Sequence, residues 1–343
     1  MTQNKDMQKE IFNKEKLLKV LTKKFDKKVI DAKYHLEELH GGTVGKVYLV
    51  SGKAKIEEDK VENFQVVLKK QHKWERYGDS LSWRREYDLY HSDLSDLFLD
   101  DFSWPKCYEA KLNDDSFELW LEYIDGPSAD QLTLEMYEKA AESLGRFQGK
   151  LYREQPNQIK ILRNLSSEDY VKIFYHHYKS WKEVYDYVRE EENDLPKHLC
   201  QMMIDLDSRE EEIFNSLDQS PLVLCHRDYW NTNIFCVNNH IYAIDWDTTG
   251  YGYFGEDMAS LIADETDPGK MLDYFKICVK AYENGFSQYA KIQINLSQRI
   301  HDLILLMFGY RLIESFKFSK NQEEKNLAKN ALQAIYDMKT FIK

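Results

Sequence analysis

The chain has 343 residues, enough for two domains, and its 43% hydrophobic and 14% aromatic content can bury a sizeable core. A formal charge of −12 argues against nucleic acid or an anionic membrane surface as the main partner. Five scattered cysteines without CxxC spacing fit a reducing compartment rather than a disulfide framework, and the longest apolar run, Leu303 to Phe308, is too short to span a bilayer. With a polar start from Met1 to Asp6, a cytoplasmic protein is expected.

Lys14 to Phe25 places Leu17, Leu18, Leu21 and Phe25 on one helical face. A strand-rich stretch follows: Tyr34 to Leu39, Val47 to Val50, a polar turn from Ser51 to Glu62, then Phe64 to Lys69. His40-Gly41-Gly42-Thr43-Val44-Gly45-Lys46 joins the first two strands, and its glycines let backbone N–H groups approach a phosphate closely. By itself the pattern is neither Gly-x-Gly-x-x-Gly nor a Walker A loop, and it describes an ordinary hairpin turn equally well.

A helix is expected from Asp79-Ser80 through Trp83, Tyr87, Tyr90, Leu94 and Leu97. Strands are expected over Cys107 to Leu112 and from Phe117 to Ile124, the latter running into Asp125-Gly126-Pro127. From Thr133 the pattern is helical, with Tyr137, Ala140, Ala141, Leu144, Phe147 and Leu151 on one face.

The stretch from Glu168 to Asp194 combines Tyr170, Phe174, Tyr175, Tyr178, Trp181, Tyr185 and Tyr187 with the acidic run Glu190-Glu191-Glu192. Core packing and solvation of a helix end account for these residues; recognition of a cation by aromatic faces and carboxylates is the alternative. Further on, Asp257 to Asp264 reads as helical. Asp267-Pro268 opens a helix ending near Gly285, and two more follow over about Leu296 to Phe316 and Gln322 to Ile342.

The chemistry concentrates in His226-Arg227-Asp228-Tyr229-Trp230-Asn231-Thr232-Asn233, followed by Ile244-Asp245-Trp246-Asp247. Short apolar runs frame these groups: Pro221 to Cys225 before the loop, Ile234 to Val237 after it, and Ile241 to Ile244 delivering Asp245. Asn238-Asn239 supplies the turn between the last two strands. Phosphoryl transfer needs such a set. One carboxylate, Asp228, faces the acceptor hydroxyl, while an amide, Asn233, and a second carboxylate, Asp245, hold Mg²⁺ on the phosphates. A metallohydrolase built on His226, Asp228, Asp245, Asp247 and His240 would leave Asn233 without a role.

His-x-Asp-x-x-x-x-Asn followed by Ile-Asp-Trp-Asp resembles the aminoglycoside phosphotransferase and choline kinase superfamily of protein-kinase-like small-molecule kinases. Protein kinases share the His-Arg-Asp spelling, but Asp245-Trp246-Asp247 stands where they carry Asp-Phe-Gly, and no Ala-Pro-Glu segment follows. Leu144-Gly145-Arg146-Phe147-Gln148-Gly149-Lys150-Leu151-Tyr152 also resembles the superfamily's Leu-Gly-Arg-x-Leu-Ala-x-Leu-His helix, from which Gln148 and Tyr152 depart. The likeness runs over about residues 30–340.

This resemblance implies an α+β, bilobal, protein-kinase-like fold: an N-terminal antiparallel sheet with a helix over residues 1–124, and a mostly helical catalytic and substrate-binding lobe over 125–343. ATP or GTP is the implied phosphoryl donor, with Mg²⁺, and the acceptor is a hydroxyl of a small, cationic molecule. Choline, homoserine, methylthioribose and aminoglycosides are examples. Lys69, pointing opposite to Leu68 on its strand, is the expected phosphate-binding lysine, with Glu86 on the next helix as its partner. Lys70 and Asp88 are the competing neighbours. Gly42 lies in the nucleotide-covering loop, and the purine would be read by the Glu122 carbonyl and the Ile124 N–H. His226 and Arg227 brace the loop, and Glu256 and Asp257 anchor it. A kinase-like scaffold without turnover is the rival from another class.

Overall fold

A computed structural model of the protein describes residues 13–39, 45–57, 60–74, 80–156 and 170–342. The chain divides into two compact units, Met1–Ser95 with Trp104–Asp125, and Asp96–Ser103 with Gly126–Lys343.

The first unit is an antiparallel sheet with a helix on each face. Helix α1 (Lys14–Phe25) starts at Asn13, whose side chain accepts the Glu15 and Lys16 N–H groups, and stops at Asp26 in the left-handed region. Strands β1 (Val29–Leu39), β2 (Gly45–Ile56), β3 (Val61–His72), β5 (Cys107–Leu112) and β6 (Ser116–Glu122) form one sheet in the order β1-β2-β3-β6-β5. The stretch from Ser51 on, expected as a polar turn, continues β2 instead. Ala54 and Ile56 point into the core while Lys53 and Lys55 point out, and that alternation suits a strand with one wet face.

On β3 the even residues Phe64, Val66 and Leu68 join Leu17, Val20 and Leu21 of α1, with Val50 and Trp120. The opposite face gathers Val67, Phe117, Leu119 and Leu121 against Trp83, Tyr87 and Tyr90. The last three belong to α2 (Ser82–Tyr90), shorter than expected because Asp93–Leu97 tightens into a separate 3₁₀ turn. Asp79, expected as a cap, and Gly42, expected over the nucleotide, lie outside the described residues.

The second unit is mostly helical. Helix α3 (Leu134–Glu154) is capped by Thr133, and α9 (Pro268–Ser287) by Asp267 with Pro268 in its first turn. The two helices touch through glycines. A Cβ at Gly145 would stand 2.4 Å from the Tyr282 carbonyl oxygen, and one at Gly149 2.7 Å from that of Phe286.

Around this pair lie α4 (Tyr170–Lys179), α5 (Lys182–Tyr187), α6 (Lys197–Ser208), α7 (Glu210–Asp218), α8 (Glu256–Ala263), α10 (Leu296–Ile304), α11 (Tyr310–Phe318) and α12 (Gln322–Met338). A π-helical turn, Leu305–Gly309, joins α10 to α11 within the expected long helix. Two small sheets complete the unit. Strand β7 (Leu222–Cys225) pairs with β10 (Gly250–Tyr253), and β9 (His240–Ala243) lies between β8 (Ile234–Val237) and the two-residue β4 (Phe102–Ser103). Asn238 and Asn239, both with positive φ, make the expected two-residue turn between β8 and β9.

Candidate active site

In the first unit the two-residue period of β3 decides between neighbouring lysines. Lys69 shares the α2 side with Val67, and its Nζ lies 2.5 Å from the Glu86 carboxylate, which is almost wholly buried. Lys70 points to the α1 side and pairs with Glu118 at 3.5 Å; Lys16 also reaches Glu118. The rival acid Asp88 is held by Arg84 through two hydrogen bonds of 2.9 and 2.7 Å. Glu122 closes β6 with its N–H donated to the Lys106 carbonyl, and the Ile124 side chain is buried.

In the second unit the loop from His226 to Asn233 runs between β7 and β8, with a 3₁₀ turn over Asn231–Asn233. The Asn233 Nδ2 donates to Oδ2 of Asp228 at 2.7 Å and to its backbone carbonyl at 2.9 Å. The N–H of Ile244 donates to the Asn233 carbonyl, tying the strand end that carries Asp245 to the same loop. Asp245 adopts φ 64°, a left-handed turn that an L-residue takes at a cost and that redirects the chain into the Trp246–Thr248 turn. Trp246 is buried, donates its indole N–H to the Ala243 carbonyl at 2.8 Å, and packs on the His226 ring at 4.5 Å between centroids. His226 bridges both segments. One ring nitrogen lies 2.9 Å from the Ile244 carbonyl, and the other accepts the Asp228 N–H at 3.3 Å.

A buried polar frame fixes the loop from behind. Asp257, at the start of α8, accepts the backbone N–H groups of His226 and Arg227 at 3.0 and 2.7 Å. Arg227 has a backbone φ of 69°, and its buried guanidinium donates to Glu256 at 3.1 Å and to the Tyr251 carbonyl at 2.5 Å. Glu256 also accepts the Tyr253 N–H. Gly252 is required here, since a Cβ would stand 2.3 Å from Glu256 Oε2. Burial pushes Glu256 up despite Arg227, and pushes Asp257 up to about 7 despite its N–H donors.

Asp228 is half-buried, and desolvation together with the charges of Asp245, Asp247 and Asp264 raises it to about 7, against the Asn233 hydrogen bond. Asp264, just beyond α8, is bridged at 2.8 Å by Arg311 of α11, which also reaches Glu265. Sequence reasoning did not find Asp264 or Arg311, because they lie far apart along the chain with no motif. Gln148 did leave a signal, as a polar residue on the apolar face of α3. Among the described residues no group of three or more His, Cys, Asp or Glu is placed to hold a metal unaided.

The family match makes this chain a small-molecule kinase, a phosphotransferase with an alcohol group as acceptor. Residues 105–289 match the Phosphotransferase enzyme family, and the chain belongs to that family. A choline kinase from Cryptosporidium parvum Iowa II superposes with a TM-score of 0.53 at 15% identity, covering 90% of this chain and 89% of its own. An amicoumacin kinase solved with AMP-PNP, Ca²⁺ and its ligand gives 0.53 at 16% identity, with 97% and 96% covered. A microcompartment-associated aminopropanol kinase gives 0.57 at 13% identity, with 91% and 94% covered. At these identities the likeness is one of fold. No curated protein matches significantly.

Proposed function

We propose that this protein transfers the γ-phosphoryl group of ATP to a hydroxyl of a small, cationic molecule, with Asp228 as the group that orients the acceptor hydroxyl and takes its proton. The observation that carries this reading is the Asn233–Asp228 hydrogen bond of 2.7 Å beside Asp245. It leaves one Asp228 carboxylate oxygen outside that bond, and a carboxylate raised to about 7 is a competent base at neutral pH.

Asn233 and Asp245 would hold Mg²⁺, and the donor set suits that ion. The Asn233 amide spends its nitrogen on Asp228 and presents its oxygen, and Asp245 adds a carboxylate. Mg²⁺ characteristically takes one or two carboxylates and completes its shell with phosphate oxygens and water. When bound, it supplies charge stabilisation to the transferring phosphoryl group. Lys69, set by Glu86, would neutralise the α- and β-phosphates. The Glu122 carbonyl and the Ile124 N–H would read the purine.

ATP as donor is supported by the AMP-PNP complex of the amicoumacin kinase of like fold. A cationic acceptor is supported by the carboxylates Asp247 and Asp264, whose field reaches Asp228, and by the kinases of like fold named for choline and aminopropanol. Five cysteines free of disulfides support a cytoplasmic setting.

Acceptor-dependent ADP release, measured across a panel of amino alcohols, sugars and aminoglycosides, tests the proposal. Phosphorylated product with at least one acceptor is expected. MgATP binding with no product from any acceptor would favour the scaffold without turnover.

A further inference from the structure

Gln148 is almost fully buried, and every polar atom of its amide is used. Its nitrogen donates to the Leu224 carbonyl and to Oδ2 of Asp257, both at 2.8 Å. Its oxygen accepts the Tyr282 hydroxyl. An amide can turn over by exchanging oxygen and nitrogen, but the Leu224 carbonyl and the Asp257 carboxylate only accept, so they allow one of the two orientations here, and the Tyr282 hydroxyl then donates to the amide oxygen. In that orientation both amide protons face acceptors: one on β7, the strand that leads into the catalytic loop, the other on the acid that holds the loop's N–H groups. The glycine contacts between α3 and α9 bring Tyr282 within reach. Without Gly145 and Gly149 the helices would stand further apart.

Leu224, Asp257 and the N–H groups of His226 and Arg227 therefore hang on one side chain. Asp257 Oδ2 receives both Gln148 and the His226 N–H, and Oδ1 receives the Arg227 N–H. Asp228, the next residue, has its N–H on the His226 ring. We infer that Gln148 is a positioning residue for the phosphoryl transfer: anchored through its oxygen by Tyr282, it holds Asp257 and the end of β7 with its two donors and so sets where the Asp228 carboxylate stands. The second half of this inference rests on the proposed role of Asp228.

The test is hydrogen–deuterium exchange of the full-length protein, which needs no acceptor, followed by MgATP hydrolysis with water as the acceptor. Gln148→Leu keeps the volume and removes both donors. A buried hydrogen bond to a charged acceptor is worth about 10-fold or more in local opening, so the His226 and Arg227 amides should exchange about that much faster. The amides of β3 and α12 should be unchanged. Hydrolysis should fall by a similar factor while the MgATP dissociation constant stays within about 2-fold, as expected for a change in positioning rather than ground-state binding.

Tyr282→Phe keeps the ring and removes the hydroxyl that anchors the Gln148 oxygen, and it carries the test if the leucine variant does not fold. The same two amides should lose about 3-fold or more in protection. Unchanged protection at 226 and 227 overturns the brace, as does faster exchange spread evenly over the second unit, which would mark a packing role. Lost protection with unchanged hydrolysis overturns the link to Asp228 and leaves the kinase reading untouched. Absence of product from every acceptor would instead remove the kinase reading while leaving the brace standing.

Discussion

The side-chain amide of Asn233 holds Asp228 at two points, 2.7 Å to the carboxylate and 2.9 Å to the backbone carbonyl, so the two residues form a rigid pair. In the proposed reading one partner is the base and the other would turn its oxygen toward the cation. Asp228→Asn should lower kcat by on the order of 10²-fold or more, because the proton acceptor is lost while no phosphate contact is. MgATP affinity should hold within about 2-fold, since only the transfer step loses an interaction. Steady-state turnover with an acceptor found in the panel, alongside calorimetry, checks both numbers. Turnover at the wild-type rate would remove Asp228 from its role.

The same substitution has a pH signature in the metal-free protein. Burial and neighbouring acids raise Asp228 from 3.8 to about 7. A carboxyl raised on folding binds its proton more tightly in the folded state. Its contribution to stability is complete below about pH 4 and is lost as pH rises through 7. Asparagine does not ionise, so Asp228→Asn should be more stable than wild type at pH 8 by on the order of 1–3 kcal/mol. At pH 4 the gain should vanish. Mg²⁺ favours the ionised form of the wild type and should narrow the gap at pH 8. Thermal melts at the two pH values decide it, and an equal difference at both would contradict the account.

The strands around the candidate site could be read from sequence because their runs are short, apolar and punctuated by turn residues. β7, β8, β9 and the Asn238-Asn239 turn are local consequences of local residues. Lys69 was readable for the same reason, since alternation along β3 opposes it to Leu68. The continuation of β2 past Ser51 was not, because its exposed lysines mimic a loop until β1 and β3 are seen to flank it. Helices α6 and α7 fell in a stretch without a sharp pattern. Gln148, Tyr282, Asp264 and Arg311 meet other residues of the site only through tertiary packing, over separations that no periodicity marks.

The alternation on β3 makes a discriminating prediction. Lys69→Met should impair transfer by on the order of 10²-fold, because it removes the charge proposed for the α/β-phosphates. It also leaves the buried Glu86 without its cation. Lys70→Met removes a partly exposed partner of Glu118, which keeps Lys16, and should cost about 2-fold at most. Measured kcat/KM for ATP in the two variants gives the order, and a reversed order would place Lys70 on the phosphates.

Asp245→Ala should abolish Mg²⁺-dependent tightening of nucleotide binding, since a hard cation loses its carboxylate ligand. Titration of ATP with and without Mg²⁺ should give dissociation constants that no longer differ, with metal-free ATP binding about as in wild type. Retention of the Mg²⁺ effect would place the ion elsewhere.

The remaining prediction concerns the acceptor. The run Glu190-Glu191-Glu192 is exposed, so its charges are solvated and screened, whereas Asp264 is largely buried and acts on Asp228. An ammonium group held near Asp228 gains more from a carboxylate in that shielded position than from three in open solvent. Arg311 now occupies Asp264 and extends to Glu265, and a cationic acceptor would compete with it for the same oxygens. Asp264→Asn should therefore raise the acceptor KM by about 10-fold with kcat little changed, as expected for lost ground-state binding. Triple replacement of Glu190, Glu191 and Glu192 by Gln should shift KM by no more than about 2-fold, the usual scale for exposed charges. Arg311→Gln frees Asp264 and should lower KM for a cationic acceptor while leaving a neutral one unaffected. If Arg311→Gln raises KM and the preferred acceptor proves anionic, Arg311 itself is the reader and the acceptor carries the opposite charge.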